Sequence, residues 1–261
     1  MTSTERRAPR ADCVADAEGG ITFDVAGAAP DAEFVLKRRG GDGPHDEVSL
    51  PLTASGDGKS RAFLTAAAGL AEGRWDAYAG EEAVESGIRD VRALLDRVPD
   101  ADRVAVRVPY PEADGRLALR CWVRGPHAEA GDVGVAQERG AMTLEGRLYG
   151  AELAEGAVAE ARLRRDGSQV RRVPVTGEGR TFAFTLPFAA LGGEDTGKER
   201  LWDLWLLPAE DASGIRIARI LDDVWDRRNV YIYPGQQVGA WLATPCYTSE
   251  NELCVRLTAA P

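Results

Sequence analysis

The chain has 261 residues, of which 44% are hydrophobic and 28% are charged, and its formal net charge is −10. This composition is typical of a soluble globular protein that is long enough for one large domain or for two of ordinary size. The acidic excess gives no electrostatic field that favours nucleic acid or anionic lipid, so we do not expect nucleic-acid binding.

The N-terminal residues 1–20 contain Arg6, Arg7 and Arg10 but no apolar run after them, so they do not resemble a secretory signal. We predict that this segment is flexible. No stretch of the chain approaches the roughly 18 apolar residues of a membrane span, so we expect no membrane insertion. We expect a cytoplasmic protein. The abundance of Ala, Gly, Arg and Asp is typical of a high-GC genome such as that of an actinobacterium.

The rest of the chain is organised by an internal repeat, because two long stretches carry the same motifs in the same order. The matched motifs, with the first copy named first, are Ala32–Arg39 with Ala159–Asp166, Leu50–Leu52 with Val173–Val175, Ala62–Thr65 with Ala183–Leu186, Arg74–Tyr78 with Leu201–Trp205, Ser86–Arg89 with Ser213–Arg216, Leu94–Val98 with Ile220–Val224, and Tyr110 and Gly115–Arg120 with Tyr247 and Asn251–Arg256. We therefore predict a duplication with a first domain over 21–126, a linker over 127–140 and a second domain over 141–258.

Within each copy, apolar and polar residues alternate with a period of two, which predicts strands with one buried face. Leu117, Leu119 and Cys121 show this alternation clearly. Turns rich in Gly, Asp and Ser recur about every ten residues, and about seven short strands per copy are expected. We predict an all-β protein of two tandem immunoglobulin-like Greek-key β-sandwiches, with two lipocalin-like barrels as the alternative. Short helical turns are expected only near 65–70 and 187–191, and an extra edge strand near 132–137.

Metal and cofactor chemistry has little support in the sequence. The four cysteines, Cys13, Cys121, Cys246 and Cys254, form no CxxC pair, so we predict no metal site. No phosphate-binding glycine motif is present, and we predict no cofactor. Cys246 and Cys254 flank a predicted turn and would face each other across a hairpin. They fit either a disulfide or two free, partly buried thiols, and the free thiols are the commoner state in a cytosolic protein.

Catalytic constellations are also sparse. His45 lies in a predicted turn and His127 in the predicted linker, where solvated loop residues are expected. Asp222, Asp223 and Asp226 form the densest acidic group. They fit general acid/base work or a hard cation, but the two arginines that follow fit a charged loop equally well. The sequence thus leans away from an enzyme.

Aromatic residues distinguish the two copies. Trp75 and Trp202 occupy matched positions, so we assign both to the core. The second copy gathers the rings of Trp205, Trp225, Tyr231, Tyr233, Trp241 and Tyr247. The candidate ligand- or partner-binding residues chosen from this region are Trp225, Tyr231, Tyr233, Trp241, Asp223, Gln236 and Gln237. Rings beside carboxylates and amides suit a sugar, and they suit a protein interface equally. Burial of most of these rings in the core is the third interpretation.

The pattern Tyr-x₄-Gly-x-Leu-x-Leu over residues 110–119, with the strand motifs 74–76 and 215–221, resembles accessory β-sandwich modules found beside glycosyltransferase and CDP-glycerol glycerophosphotransferase domains of actinobacteria. The resemblance covers both copies. It implies a noncatalytic role beside polymer or natural-product glycosylation, and it assigns no catalytic residue.

These observations lead to two functional hypotheses. The first is a noncatalytic binding or scaffold protein that recognises a glycan or a partner enzyme, mainly through the second domain. The alternative is a cyclase or isomerase of natural-product biosynthesis that has no sequence signature and acts in an apolar pocket in or between the domains. A deep pocket that contains a carboxylate with a raised pKa or an arginine would favour the alternative, and two well-filled cores would count against it.

Overall fold

The computed structural model describes residues 7–193 and 198–261, with the exception of the Gln137 side chain. The described residues contain β-strands and three short 3₁₀ helices but no α-helix, so the all-β prediction is confirmed. None of these helices has the length and apolar character needed to cross a bilayer.

The strands are, in chain order, β1 (Arg10–Ala15), β2 (Ile21–Ala26), β3 (Glu33–Arg38), β4 (Glu47–Pro51), β5 (Thr53–Gly56), β6 (Lys59–Leu64), β7 (Gly73–Ala79), β8 (Glu82–Ala83), β9 (Glu85–Asp90), β10 (Val104–Pro111), β11 (Leu117–Arg124), β12 (His127–Ala136), β13 (Ala141–Tyr149), β14 (Val158–Leu163), β15 (Val170–Thr176), β16 (Thr181–Pro187), β17 (Arg200–Leu207), β18 (Ile215–Ala218), β19 (Gln236–Val238), β20 (Trp241–Tyr247) and β21 (Leu253–Ala259). The 3₁₀ helices are Arg92–Asp96, Gln137–Arg139 and Phe188–Leu191. The last of these lies where the sequence predicts a helical turn.

The chain divides into two compact units. Unit 1 contains the described residues up to Pro99 together with Ala105–Val123 and Leu221–Trp225. Unit 2 contains the described residues of Asp100–Val104, Arg124–Ile220 and Asp226–Pro261.

Two strands lie where the sequence predicts a flexible segment and a linker. β1 falls within residues 1–20 and β12 within residues 127–140. The second half of β12 overlaps the extra strand predicted near 132–137. Their buried faces consist mainly of small residues, such as Ala11 and Cys13 in β1 and Ala128 in β12. Small side chains bury little apolar area, so their period-two pattern is weak in the sequence. Each strand is fixed by a non-local parallel pairing, β1 with β9 and β12 with β18.

Unit 1 is built from two sheets. Their strand orders are β5-β6-β2-β1-β9 and β10-β11-β7-β3-β4, and β8 pairs with β7. Phe23 of the first sheet stacks on Phe34 of the second with 4.4 Å between the ring centroids, so the buried faces of the sheets meet. Trp75 of β7 is fully buried in this core, as its matched position predicts.

In unit 2, seven strands close into a barrel in the order β14-β15-β16-β13-β12-β18-β17, and β17 pairs back to β14. The strands β21, β20 and β19 extend the sheet from β17. The order β15-β16-β13-β12-β18 corresponds to β5-β6-β2-β1-β9, and β20-β21-β17-β14 corresponds to β10-β11-β7-β3. Trp202, in the strand that corresponds to β7, is fully buried.

Candidate functional site

The connection that follows β18 is longer than the corresponding connection of the first strand series. Residues 219–240 join β18 to β20 and include the short strand β19, whereas residues 91–103 join β9 to β10. Six of the seven candidate residues lie in this longer connection. The seventh, Trp241, begins β20.

Residues 221–225 of the connection belong to unit 1 and include Asp223 and Trp225. The Trp225 ring stacks on the buried Tyr110 ring at a centroid distance of 4.2 Å. The Tyr110 hydroxyl donates a hydrogen bond to Glu112 Oε1 over 2.5 Å, and burial raises the pKa of that hydroxyl. One face of Trp225 is therefore covered by another ring.

Two carboxylates of the acidic group in this connection are engaged in contacts with neighbouring residues of the chain. Asp222 Oδ1 accepts a hydrogen bond from the Val224 backbone N–H, and Asp226 forms an ion pair with Arg228. Asp223 is half-buried. In the part of the chain that the structure describes, no group of three His, Cys, Asp or Glu residues could hold a metal ion. These contacts fit the charged-loop interpretation of the sequence.

Arg227 fixes the second part of the connection to unit 2. Its side chain is buried, its Nε donates a hydrogen bond to the Arg219 carbonyl over 2.8 Å, and its backbone N–H donates to Asn251 Oδ1 over 3.0 Å. Burial lowers the pKa of the Arg227 guanidinium. The Arg227 carbonyl accepts hydrogen bonds from the backbone N–H groups of Val230 and Tyr231. The turn over residues 227–231 therefore begins at a residue whose side chain is anchored in unit 2.

Two candidate tyrosines pack inward on this anchor. The rings of Tyr231 and Tyr233 both pack against the buried Tyr247 ring, with centroid distances of 6.1 and 6.3 Å. The guanidinium groups of Arg227 and Arg219 lie 4.7 and 5.4 Å from the Tyr231 centroid, in cation–π contact. Burial raises the pKa of Tyr233 and of Tyr247. Both candidate rings thus stabilise the connection.

The residues that alternate with these tyrosines face outward. Val230 is 61% exposed and Ile232 is 84% exposed. Further along, Gln236 is half-buried and Gln237 is exposed in β19, which lies at the end of the strand order of its sheet. Val230 and Ile232 are not among the seven candidate residues, although the period-two pattern Val-Tyr-Ile-Tyr indicates that they share a face.

Trp241 is a core residue. It is only 3% exposed, its Nε1 donates a hydrogen bond to the Gly193 carbonyl over 3.2 Å, and the Arg200 guanidinium lies 4.9 Å from the ring centroid. Its ring is therefore not accessible to a ligand, contrary to its selection as a binding candidate. The interpretation that second-copy rings are mainly core holds for this residue.

His127 is not a solvated loop residue. It begins β12, is fully buried, and its Nε2 lies 2.7 Å from Glu129 Oε2. The carboxylate of Glu129 also accepts a hydrogen bond from the Ile220 backbone N–H. These contacts tie β12 to the residues that follow β18, the strand with which β12 pairs in parallel. His45, in contrast, lies in the turn before β4, as the sequence predicts.

Two surface cavities carry charged linings. A cavity of about 500 Å³ in unit 2 is lined by Leu163, Arg164, Arg165, Lys198, Glu199, Arg200 and Leu201. A cavity of about 400 Å³ in unit 1 is lined by Arg39, Asp76, Glu112, Ala113, Asp114 and Arg116. In the unit 1 cavity, Arg39 forms ion pairs with Asp76 and Glu112, so the charge of Arg39 is already matched. Neither cavity is the apolar pocket that the enzyme hypothesis expects.

Comparisons with known proteins give no family. No protein-family model matches the chain, and no curated protein matches it. Among solved structures it is similar to S. aureus TarS, with a TM-score of 0.39 and 13% identity over 63% of this chain and 29% of that chain. A structure of S. aureus TarS 217–571 has a TM-score of 0.31 and 13% identity over 69% of this chain and 56% of that chain.

A chimeric titin Z1Z2, functionalized with a KLER exogenous peptide from decorin, has a TM-score of 0.20 and 12% identity over 82% of this chain and 97% of that chain. The chain spans less than two thirds of either TarS chain that it matches. With all three TM-scores below 0.5, these likenesses carry no argument about function.

Proposed function

We propose that the chain is a noncatalytic binding protein that recognises a partner protein through residues 230–237, here called the binding segment. The observation that carries this proposal is the outward pair Val230 and Ile232, 61% and 84% exposed, on a segment whose alternate residues are anchored. Exposed aliphatic residues on an anchored backbone lose little conformational entropy on binding, which favours their use as contact residues. The amides of Gln236 and Gln237 supply polar groups at the rim of such an interface.

A protein partner fits this segment better than a glycan does. Binding of a sugar by stacking needs an accessible aromatic face. The Tyr231 ring is in contact with two guanidinium groups, Trp225 is stacked on Tyr110, and Trp241 is buried. The most exposed apolar groups of the segment are aliphatic, and these suit the apolar centre of a protein interface.

We further propose that the two units arose by duplication of an immunoglobulin-like module, and that the binding segment was acquired by the second copy. The corresponding strand orders support the duplication. The first copy has a shorter connection in the same place, with the 3₁₀ helix Arg92–Asp96. The shared strands are then required by the fold, while the unshared segment is available for recognition.

The test is a photo-crosslinking residue placed at position 232 of the full chain and, as a matched control, at position 88. Ile88 is 74% exposed, but it lies in β9 of unit 1. In cells of the source organism, we expect position 232 to capture one defined protein and position 88 not to capture it. The captured protein is then purified and titrated against the unmodified chain and against the variants Ile232→Ser and Ile88→Ser.

We expect Ile232→Ser to weaken binding of the purified partner at least about tenfold, or about 1.4 kcal/mol, and Ile88→Ser to leave it unchanged. Both side chains are exposed, so the stability of either variant should change by no more than about 0.5 kcal/mol. Equal affinities of the two variants would contradict the proposal. Binding to a glycan array that Ile232→Ser abolishes would replace the protein partner with a sugar.

A further inference from the structure

Two cysteines of unit 2 face each other across neighbouring strands. Cys246 of β20 and Cys254 of β21 are direct partners in the antiparallel register, and their Sγ atoms are 3.3 Å apart. Cys254 Sγ also lies 3.3 Å from the Cys246 carbonyl oxygen. Directly opposed residues on antiparallel strands have Cβ separations that overlap the range of disulfides, so small side-chain rotations suffice to join the sulfurs.

The surroundings of the two thiols are unequal. Cys246 is half-buried and Cys254 is buried. The hydrogen bond from Cys254, with a further contribution from Arg256, lowers the pKa of Cys246, and the same hydrogen bond together with burial raises the pKa of Cys254. This asymmetry makes Cys246 the more reactive nucleophile, because the thiolate is the attacking species.

The other two cysteines lack these properties. Burial raises the pKa of Cys13 and of Cys121 to about 12 in each case. In the repeat, Tyr110 matches Tyr247 and Leu117 matches Leu253, so the first-copy residues that correspond to Cys246 and Cys254 are Pro109 and Ala118. The module therefore folds without a thiol at either position, and the pair is specific to the second copy.

We propose that Cys246 and Cys254 form a reversible modification site that closes to a disulfide by exchange with a low-molecular-weight disulfide. The Cys246 thiolate attacks one sulfur of that molecule, which forms a mixed disulfide and releases one thiolate. Cys254 then loses its proton and attacks Cys246 Sγ, which closes the internal disulfide and releases the second thiol. The protein dithiol is oxidised by two electrons, and the small disulfide is reduced to two thiols.

The test uses the full chain and oxidised glutathione as the probe, with acid quenching, alkylation after denaturation and peptide mapping. No Lys or Arg lies between residues 229 and 255, so trypsin leaves both cysteines in one peptide. A glutamate-specific protease then cuts after Glu250 or Glu252 and separates them unless a disulfide joins the products. We expect joined products and alkylated Cys13 and Cys121.

The order of events distinguishes the proposal from nonspecific oxidation. In the unmodified chain, the mixed disulfide should form at Cys246 first and stay below about a tenth of the internal disulfide, because the second thiol acts intramolecularly. Cys254→Ser should retain the mixed disulfide at Cys246, and Cys246→Ser should leave Cys254 unmodified. Circular dichroism checks that both variants are folded, and the time course of the unmodified chain tests the order without them.

Persistent mixed disulfide in the unmodified chain, or two alkylated thiols after prolonged exposure to the probe, would overturn the proposal. First attack at Cys254 would also overturn it. The glutathione experiment measures modification of thiols, whereas the crosslinking experiment at position 232 measures capture of a partner. Failure of one proposal is therefore distinguishable from failure of the other.

Discussion

At the scale of single residues, Asn251 has two roles, one through its backbone and one through its side chain. Its backbone has a φ of 57°, in the left-handed region, and the matched residue of the first copy is Gly115 with a φ of 85°. Glycine adopts this conformation without steric cost, and asparagine tolerates it better than most other residues. In unit 2 the side chain also accepts the hydrogen bond from the Arg227 backbone N–H.

The two roles of Asn251 can be separated by two substitutions. Asn251→Gly keeps the backbone conformation but removes the hydrogen bond to Arg227, and we expect it to destabilise unit 2 by about 1 kcal/mol. Asn251→Ala should cost about 1–2 kcal/mol more, because alanine is strained at positive φ. Urea unfolding followed by circular dichroism measures both values. Equal stabilities of the two variants would refute the backbone contribution.

At the scale of elements, the close approach of neighbouring strands fixes a glycine in β13. A Cβ atom at Gly146 would lie 2.6 Å from the Glu129 carbonyl oxygen of β12 and would overlap the Phe182 ring of β16. β13 pairs with both of these strands, so relief of the two contacts requires a shift of β12, of β16 or of the Phe182 ring. The sequence contains this glycine but not the reason for it, because the two contacts come from separate strands.

Gly146→Ala should therefore destabilise unit 2 by about 1–3 kcal/mol through overpacking. Gly167→Ala is the matched control, because a Cβ there would meet no described atom within 4 Å. We expect the control to change stability by no more than about 0.5 kcal/mol. Thermal unfolding by circular dichroism gives both values, and a neutral Gly146→Ala would show that β12 or β16 can shift.

At the scale of the whole molecule, the two series of strands place one tryptophan at the same point of each core but bond it differently. Trp75 Nε1 donates a hydrogen bond to the Ala71 carbonyl over 3.1 Å. Trp202 Nε1 is buried and has no hydrogen-bond partner among the described residues. The shared ring therefore serves burial in both units, while its polar atom is satisfied in only one.

Trp75→Phe should therefore cost about 1 kcal/mol more than Trp202→Phe. The first substitution removes both ring volume and a hydrogen bond, whereas the second removes ring volume together with an unpaired N–H. Urea unfolding by circular dichroism, read on the transition of the substituted unit, provides the comparison. A larger loss for Trp202→Phe would contradict the assignment of the two indole nitrogens.

The repeat and its period-two pattern were sufficient to predict an all-β chain and the location of most strands. This information is local, since alternation along a strand records which face is buried. The pattern was too weak for β1 and for the first half of β12, whose buried residues are mainly alanines, and the positions of these segments depend on pairing with strands far along the chain. The immunoglobulin-like topology and the duplication stay predictions.

The sequence by itself determined that aromatic residues are concentrated in the second copy, and only the tertiary structure decided which of their surroundings are accessible. Trp241 is buried in the core, and Tyr231 and Tyr233 pack on Tyr247, while Ile232 faces outward. The physical reason is that side-chain exposure depends on neighbours that are distant in sequence. Arg227 lies in the connection after β18 and Tyr247 lies in β20, and their contact helps to hold Tyr231 and Tyr233 inward while Val230 and Ile232 stay exposed.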